Sequence, residues 1–212
     1  MKLDENDQIQ KILSKNEFFL YKSLLKNWQL KVNLVASSTI PYQEERHFVD
    51  SLQLLSYLPS DMKSLVDLGS GAGFPGLVLA LARPKTLLVT LIESDLKKCL
   101  FLETVSRETK VNVIILRSRI ELLKEVLKYD IITSRALAPL PLLLYYATPF
   151  MRENSICLFL KGKSFETEIK EAKKKWKFDL EIFPSITDSA GCILKIENPK
   201  RIGLNDKNCS SR

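Results

Sequence analysis

The chain has 212 residues, 45% hydrophobic and 27% charged, with 32 lysines and arginines against 25 acids, one histidine and a net charge of +7. That length holds one α/β domain plus an extension, and a chain of this size buries roughly 70% of its unfolded surface, so no disulfide or metal is needed to hold it together. Four cysteines without a C-x-x-C and a lone histidine exclude a disulfide scaffold and a zinc site, while the basic surplus favours a polyanionic partner such as nucleic acid, with a generally lysine-rich composition as the plain alternative.

The start, M-K-L-D-E-N-D, is acidic where a signal peptide is basic and then apolar, and the longest apolar stretch, 136–151, is too short for a bilayer and carries three prolines. A cytoplasmic protein with no membrane segment is expected. Residues 1–59 read as a helical extension. Phe18, Phe19, Tyr21, Leu24, Leu25, Trp28 and Leu30 recur at helical spacing and predict one amphipathic helix. W-Q-L-K-V-N-L-V-A is apolar and should pack, 37–41 is a loop, and 42–58 predicts a second helix stopped by Pro59.

From 60 to 203 strands and helices alternate. Strands are predicted at 65–68, 86–92, 112–116, 129–133 and 155–160, with helices near 75–83, 94–109, 119–127 and 139–151. A helix near 165–176 precedes two further strands, 177–184 and 192–197, which read as a closing antiparallel hairpin. The alternation implies an α/β fold with a doubly wound, mostly parallel seven-stranded sheet and helices on both faces. Residues 204–212 read as a polar tail.

The first strand runs into V-D-L-G-S-G-A-G-F-P-G: an acid at Asp67, glycines at 69, 71, 73 and 76, then apolar residues at helical spacing. This is a strand, a tight turn and a helix start, where bare backbone lets a ligand approach. Gly71, Gly73 and Gly76 satisfy the dinucleotide fingerprint with Glu93 in range for a ribose acid, which keeps a nicotinamide-dependent reductase open. The fuller acid-x-Gly-x-Gly-x-Gly resembles motif I of class I S-adenosylmethionine-dependent methyltransferases, and an acid at Asp67 suits a cationic sulfonium ligand.

In open parallel sheets ligands bind beyond the carboxyl ends of the strands. After the second strand, Glu93 presents two acceptor oxygens to ribose hydroxyls; after the third, Ile120 and Glu121 are placed for an adenine edge. After the fourth comes S-R-A-L-A-P-L, without the [N/D]-P-P-[Y/F] of enzymes that methylate exocyclic amines, and no activated cysteine is placed for methylation of pyrimidine carbon. Arg135 stands there instead. A ring nitrogen with a lone pair and no proton, such as guanine N7, needs neither base nor nucleophile, only alignment and desolvation.

With these motifs in order, the chain resembles the RsmG (GidB) family, bacterial enzymes that methylate N7 of a guanine in small-subunit ribosomal RNA. The resemblance runs from about Phe19 to Gly203 and includes W-Q-L-K-V-N-L-V, R-H-F-V-D-S-L, S-R-I-E, Y-D-I-I-T-S-R-A and L-K-G. By position, the family's cofactor contacts fall on Gly69, Phe74, Ile120, Glu121 and Arg135, beside Gly71, Gly73 and Glu93 from the turn and the second strand. The resemblance implies S-adenosyl-L-methionine as cofactor, no metal, 16S rRNA within the small ribosomal subunit as partner, and a monomer. No catalytic residue is firmly assigned; Arg135, Asp50 and His47 are candidates, and His47 is not expected to act as a base. Arg46 and Asp50, four apart, allow an ion pair worth ~0.3 to 0.5 kcal/mol if exposed.

RNA-binding candidates are Arg46, Lys161, Lys163, Lys173, Lys174, Lys175 and Arg201, the lysine run reading as a phosphate track beside the strand-end site or as an exposed helix face. D-S-A-G-C-I-L-K departs from the family in lacking an arginine ahead of the last core strand, and P-K-R-I-G lacks its later prolines. A non-catalytic RNA-binding assembly factor on the same fold is the rival reading.

Overall fold

The computed structural model describes residues 2–123 and 126–203. The tail expected at 204–212 lies outside the described residues. Seven strands, β1 (Ser64–Leu68), β2 (Leu88–Glu93), β3 (Val113–Arg117), β4 (Tyr129–Arg135), β5 (Met151–Lys161), β6 (Trp176–Pro184) and β7 (Cys192–Arg201), form one sheet in the order β3-β2-β1-β4-β5-β7-β6. β1 to β5 are parallel, and β7 inserts antiparallel between β5 and β6. The doubly wound sheet and its closing hairpin are those implied by the alternation. β1 and β4 are buried along nearly their whole length, which is why they read as continuous apolar runs rather than alternating ones.

Each face of the sheet carries its own core. On one side α4 (Gly76–Ala82) and α5 (Leu96–Thr109) pack together with the N-terminal helices α1 (Lys2–Leu13) and α2 (Asn16–Gln29). On the other lie α6 (Leu140–Ala147) and α7 (Phe165–Lys173). α2 buries Phe18, Tyr21 and Leu25, and Trp28 meets Phe101 of α5 edge-on at 5.6 Å. Phe19 and Leu30, which the spacing places with this face, are instead 61% and 85% exposed. Leu30 lies past the last turn of α2 as its C-cap. The following segment packs as expected: Leu34 is buried, and the Gln29 amide accepts from Leu34 N and Val35 N at 3.0 and 3.1 Å.

Three predicted helices differ. The single helix expected at 42–58 is a π-helix (Glu44–Val49), one α turn, α3 (Asp50–Leu52), and a 3-10 stretch (Gln53–Tyr57). Of the helix expected at 119–127, the described residues form a 3-10 turn at Ile120–Leu122, and 124–125 lie outside the described residues. That expected at 139–151 is α6 followed by a 3-10 turn (Thr148–Phe150), after which Met151 already opens β5.

Candidate active site

The glycine turn between β1 and α4 is built on Asp67. This carboxylate is fully buried; it accepts from Gly76 N at 3.2 Å and from the Thr133 hydroxyl at 2.8 Å, joining the exit of the turn and β4 to the end of β1. Burial raises its pKa to about 6 against the pull of those hydrogen bonds. Asp67 therefore lies beneath the turn and does not border the cleft, which replaces the expectation that it faces a cationic ligand. A Cβ at Gly76 would sit 2.6 Å from Asp67 Cβ and Leu91 Cδ2, so the missing side chain is what lets α4 approach the sheet.

Two glycines of the turn have opposite surroundings. Gly73 has φ +94°, and a Cβ there would collide with the Tyr21 hydroxyl, which donates to the Ala72 carbonyl. Expected at the cofactor, Gly73 instead accommodates α2 and Leu102 and does not border the cleft. Gly71, φ +58°, borders the cleft, and a Cβ there would meet nothing closer than Gly69 O at 4.0 Å.

A cleft of about 970 Å³ opens at the carboxyl ends of the parallel strands, at the upper end of the range for small-molecule sites. Gly69, Gly71, Phe74, Glu93, Ile120, Glu121 and Arg135 all border it, together with Arg46, His47 and Asp50. The Glu93 carboxylate accepts from Gly71 N at 2.8 Å and from Ser94 N and Asp95 N at 2.7 and 2.8 Å. Three backbone amides thus fix its direction, and its oxygens keep acceptor capacity for hydroxyl donors.

One wall of the cleft is formed by the π-helix, packed against Phe74 of the turn, and the end of β4. Arg135 Nη1, at the end of β4, donates to Asp50 Oδ2 at 3.2 Å and to the Arg46 carbonyl at 3.0 Å, and its guanidinium lies 4.9 Å from the Phe74 ring centre. Asp50 Oδ1 accepts from the Thr187 hydroxyl at 2.7 Å and Gln53 Nε2 at 2.9 Å. Arg46 pairs with Asp188 at 3.3 Å, not with Asp50 as its spacing predicts. Asp50 is already engaged by Arg135, Thr187 and Gln53, so Arg46 is left to Asp188.

His47 stacks on Phe74 with ring centres 5.0 Å apart, and its Nε2 is 2.8 Å from the Thr39 hydroxyl. Burial, with the nearby charges of Arg135 and Arg46, lowers its pKa to about 3, so the ring is neutral at physiological pH. Gln53, Thr187 and Asp188 hold this wall without having been singled out in the sequence, and Tyr21, read there only as part of a helix face, holds the turn. The turn-rich S-I-T-D-S-A-G after β6 carried the only available signal for two of them.

The RNA-binding candidates separate. Lys161 is buried, donating at 2.7 Å to both Glu168 Oε2 and the Ala138 carbonyl, while Glu168 also accepts from Leu140 N at 2.8 Å. It clamps β5 to α6 and α7, its cation committed to Glu168 where the pair borders the cleft. Lys163 is exposed just beyond the carboxyl end of β5. Lys173, Lys174, Lys175 and Arg201 lie at the opposite end of the sheet: Lys161 and Pro184 pair with Cys192 at the cleft end of β7, whereas Trp176 pairs with Arg201 at the other. A strand rises ~3.3 Å per residue, so the length of β7 separates this basic end from the cleft, and a phosphate track beside the site is not what these lysines form.

The strand order, the inserted antiparallel β7 and the glycine turn after β1 define a class I methyltransferase fold. Solved structures of similar fold include a putative O-methyltransferase from Klebsiella pneumoniae (TM-score 0.60, 12% identity, 92% of this chain and 96% of that one) and the O-methyltransferase from Bacillus cereus in complex with SAH (0.57, 13%, 84% and 90%). The model of the GidB family, rRNA small subunit methyltransferase G, matches residues 14–191, and the chain belongs to that family. Among its relatives, ribosomal RNA small subunit methyltransferase G of Paramagnetospirillum magneticum is 44% identical over 182 residues, covering 86% of this chain and 87% of the relative. That of Rickettsia prowazekii is 42% identical over 191 residues, covering 90% and 96%.

Proposed function

We propose that this chain transfers the methyl group of S-adenosylmethionine to N7 of a guanine in 16S rRNA of the small ribosomal subunit. The cleft residues fit the cofactor: Gly71 offers open backbone to its amino-acid end, Glu93 offers acceptors to ribose hydroxyls, and Ile120 and Glu121 offer a lining for the adenine. When bound, it supplies an electrophilic methyl group on a sulfonium.

The observation that carries the reading is the wall formed by Arg135, His47 and Asp50. Its donor is Arg135, whose remaining N–H groups match the O6 edge of guanine, and its histidine is too weak a base to take a proton. N7 has a lone pair and no proton to lose, so such a wall suffices by alignment and exclusion of water. Methylation leaves positive charge on the purine, and Asp50 offsets the neighbouring charge of Arg135. The enzyme is read as a cytoplasmic monomer in which residues 1–59 complete the cleft of a 60–203 methyltransferase domain; among the described residues no helix is long and apolar enough to cross a membrane.

The test is transfer of labelled methyl from S-adenosylmethionine to small subunits lacking the modification, followed by nucleoside analysis. Label in 7-methylguanosine is expected; label elsewhere, or none, contradicts the proposal.

A further inference from the structure

A second groove, about 1290 Å³, lies on the other side of the π-helix from the cofactor cleft. α2 forms one flank, the entry to the π-helix another, and the turn after β6 its end. The two cavities share a partition: Arg46, His47 and Asp50 border the cleft, Gln43 and Glu44 border the groove, and Ser185 borders both.

Two aromatic rings that the core does not use line this groove. Phe19 is 61% exposed and Tyr42 64% exposed, whereas the neighbouring Phe18 and Tyr21 are fully buried. Lys22 Nζ sits 4.9 Å from the Phe19 ring centre and 2.6 Å from a Glu44 oxygen, bracing Phe19 at the rim. Lys26 borders the groove one turn further along α2. Gln43, another lining residue, is buried, and its amide oxygen has no hydrogen-bond partner.

We propose that this groove holds an unstacked nucleobase of the same RNA strand that delivers the target guanine, stacked against Phe19 and Tyr42. This inference rests on the proposed function. Proteins that read single-stranded RNA stack splayed bases on aromatic side chains and bond their edges with polar groups. The groove supplies two exposed aromatic faces, the buried Gln43 amide in its lining and, beside the Lys22–Glu44 pair, Lys26 at the rim for phosphate. The groove and the cleft share the π-helix as a partition, so a strand that crosses this helix into the cleft passes the groove. The lining mixes the two rings with Lys22, Lys26, Glu44 and Glu45, and binding of RNA alone distinguishes a base from a protein occupant.

The test compares wild type with Phe19→Ala, Tyr42→Ala, the double variant, and the aromatic replacements Phe19→Trp and Tyr42→Phe. Four quantities are measured: methyl transfer to small subunits, binding of a short single-stranded RNA spanning the target, S-adenosylhomocysteine affinity by calorimetry, and Tm. Each alanine is expected to lower kcat/KM and RNA affinity about tenfold, while the aromatic replacements retain both. Cofactor affinity and Tm stay at wild-type values, because both rings are exposed. Wild-type kcat/KM in the double variant overturns the proposal. So does a loss seen on assembled subunits with RNA binding unchanged, which identifies a ribosomal protein as the occupant. Absence of transfer by the wild-type protein contradicts the proposed function instead, and RNA binding by the alanine variants then still decides the groove.

Discussion

Arg135 carries more of the site than any other side chain, because one of its nitrogens is already committed to Asp50 and the Arg46 carbonyl. Its planar fork serves those partners and still presents donors to a base; a lysine ammonium cannot reproduce that geometry. Arg135→Lys is expected to reduce methyl transfer roughly a hundredfold, read as kcat on small subunits, with S-adenosylhomocysteine still bound. Unchanged kcat would remove Arg135 from the chemistry. His47 predicts a pH effect. Its folded pKa, about 3, lies below the ordinary 6.5, so its contribution is present above pH 6.5 and is lost as pH falls towards 3. Asp67 has the opposite sign: raised from 3.8 to about 6, it favours the fold below the lower value and loses that contribution as pH rises through the upper one. The stability advantage of wild type over His47→Gln, from urea unfolding, should therefore shrink on acidification below pH 6.5, by at most about 1.4 kcal/mol per pH unit. A pH-independent difference would contradict the neutral, buried ring. Arg135, Glu93 and Gly71 were legible because a strand end places them. Asp67, Gly73 and Lys161 were not, since a residue type does not say which side of a turn or strand its partner occupies.

Among the elements, the π-helix shows where local reading stops. Phe48 and Leu52 recur at helical spacing and are buried in either winding, so periodicity predicted a helix and was silent about its pitch. Arg46 pairs with Asp188 and Asp50 with Arg135, contacts made with segments far along the chain that periodicity does not contain. At 119–127 the helical pattern yields to a 3-10 turn at Ile120–Leu122, where Ser118 N donates to the Glu93 carbonyl at 3.1 Å and holds the end of β3 beside the cleft. The clamp of Lys161 and Glu168 joins three elements and makes a stability prediction. Lys161→Met keeps the apolar stem but leaves Glu168, held below its ordinary pKa by Lys161 and Ser164 despite burial, without its cation. Urea unfolding should register a loss of about 1 to 3 kcal/mol. A loss within about 0.5 kcal/mol, the usual range for surface substitutions, would mean that the pair is not structural.

Across the whole molecule, basic residues stand at both ends of the sheet. At the cleft Arg135 pairs with Asp50, Arg46 with Asp188 and Lys161 with Glu168, while Lys98 and Arg119 also line it. At the opposite end, Lys63 and Lys128 precede β1 and β4, Arg152, paired with Asp130, and Lys177 stand near the starts of β5 and β6, and Lys200 and Arg201 close β7. Such a basic surplus attracts a polyanion at long range. The sheet was readable because a parallel strand buried on both faces is an apolar run of its own, whereas the placement of the basic end depended on strand directions that composition does not contain. That this chain makes 7-methylguanosine in 16S rRNA is put to the test by nucleoside mass analysis of that RNA from cells with and without the gene. 7-Methylguanosine is expected to fall on deletion and to return with the wild-type chain; an unchanged content would contradict the proposed activity.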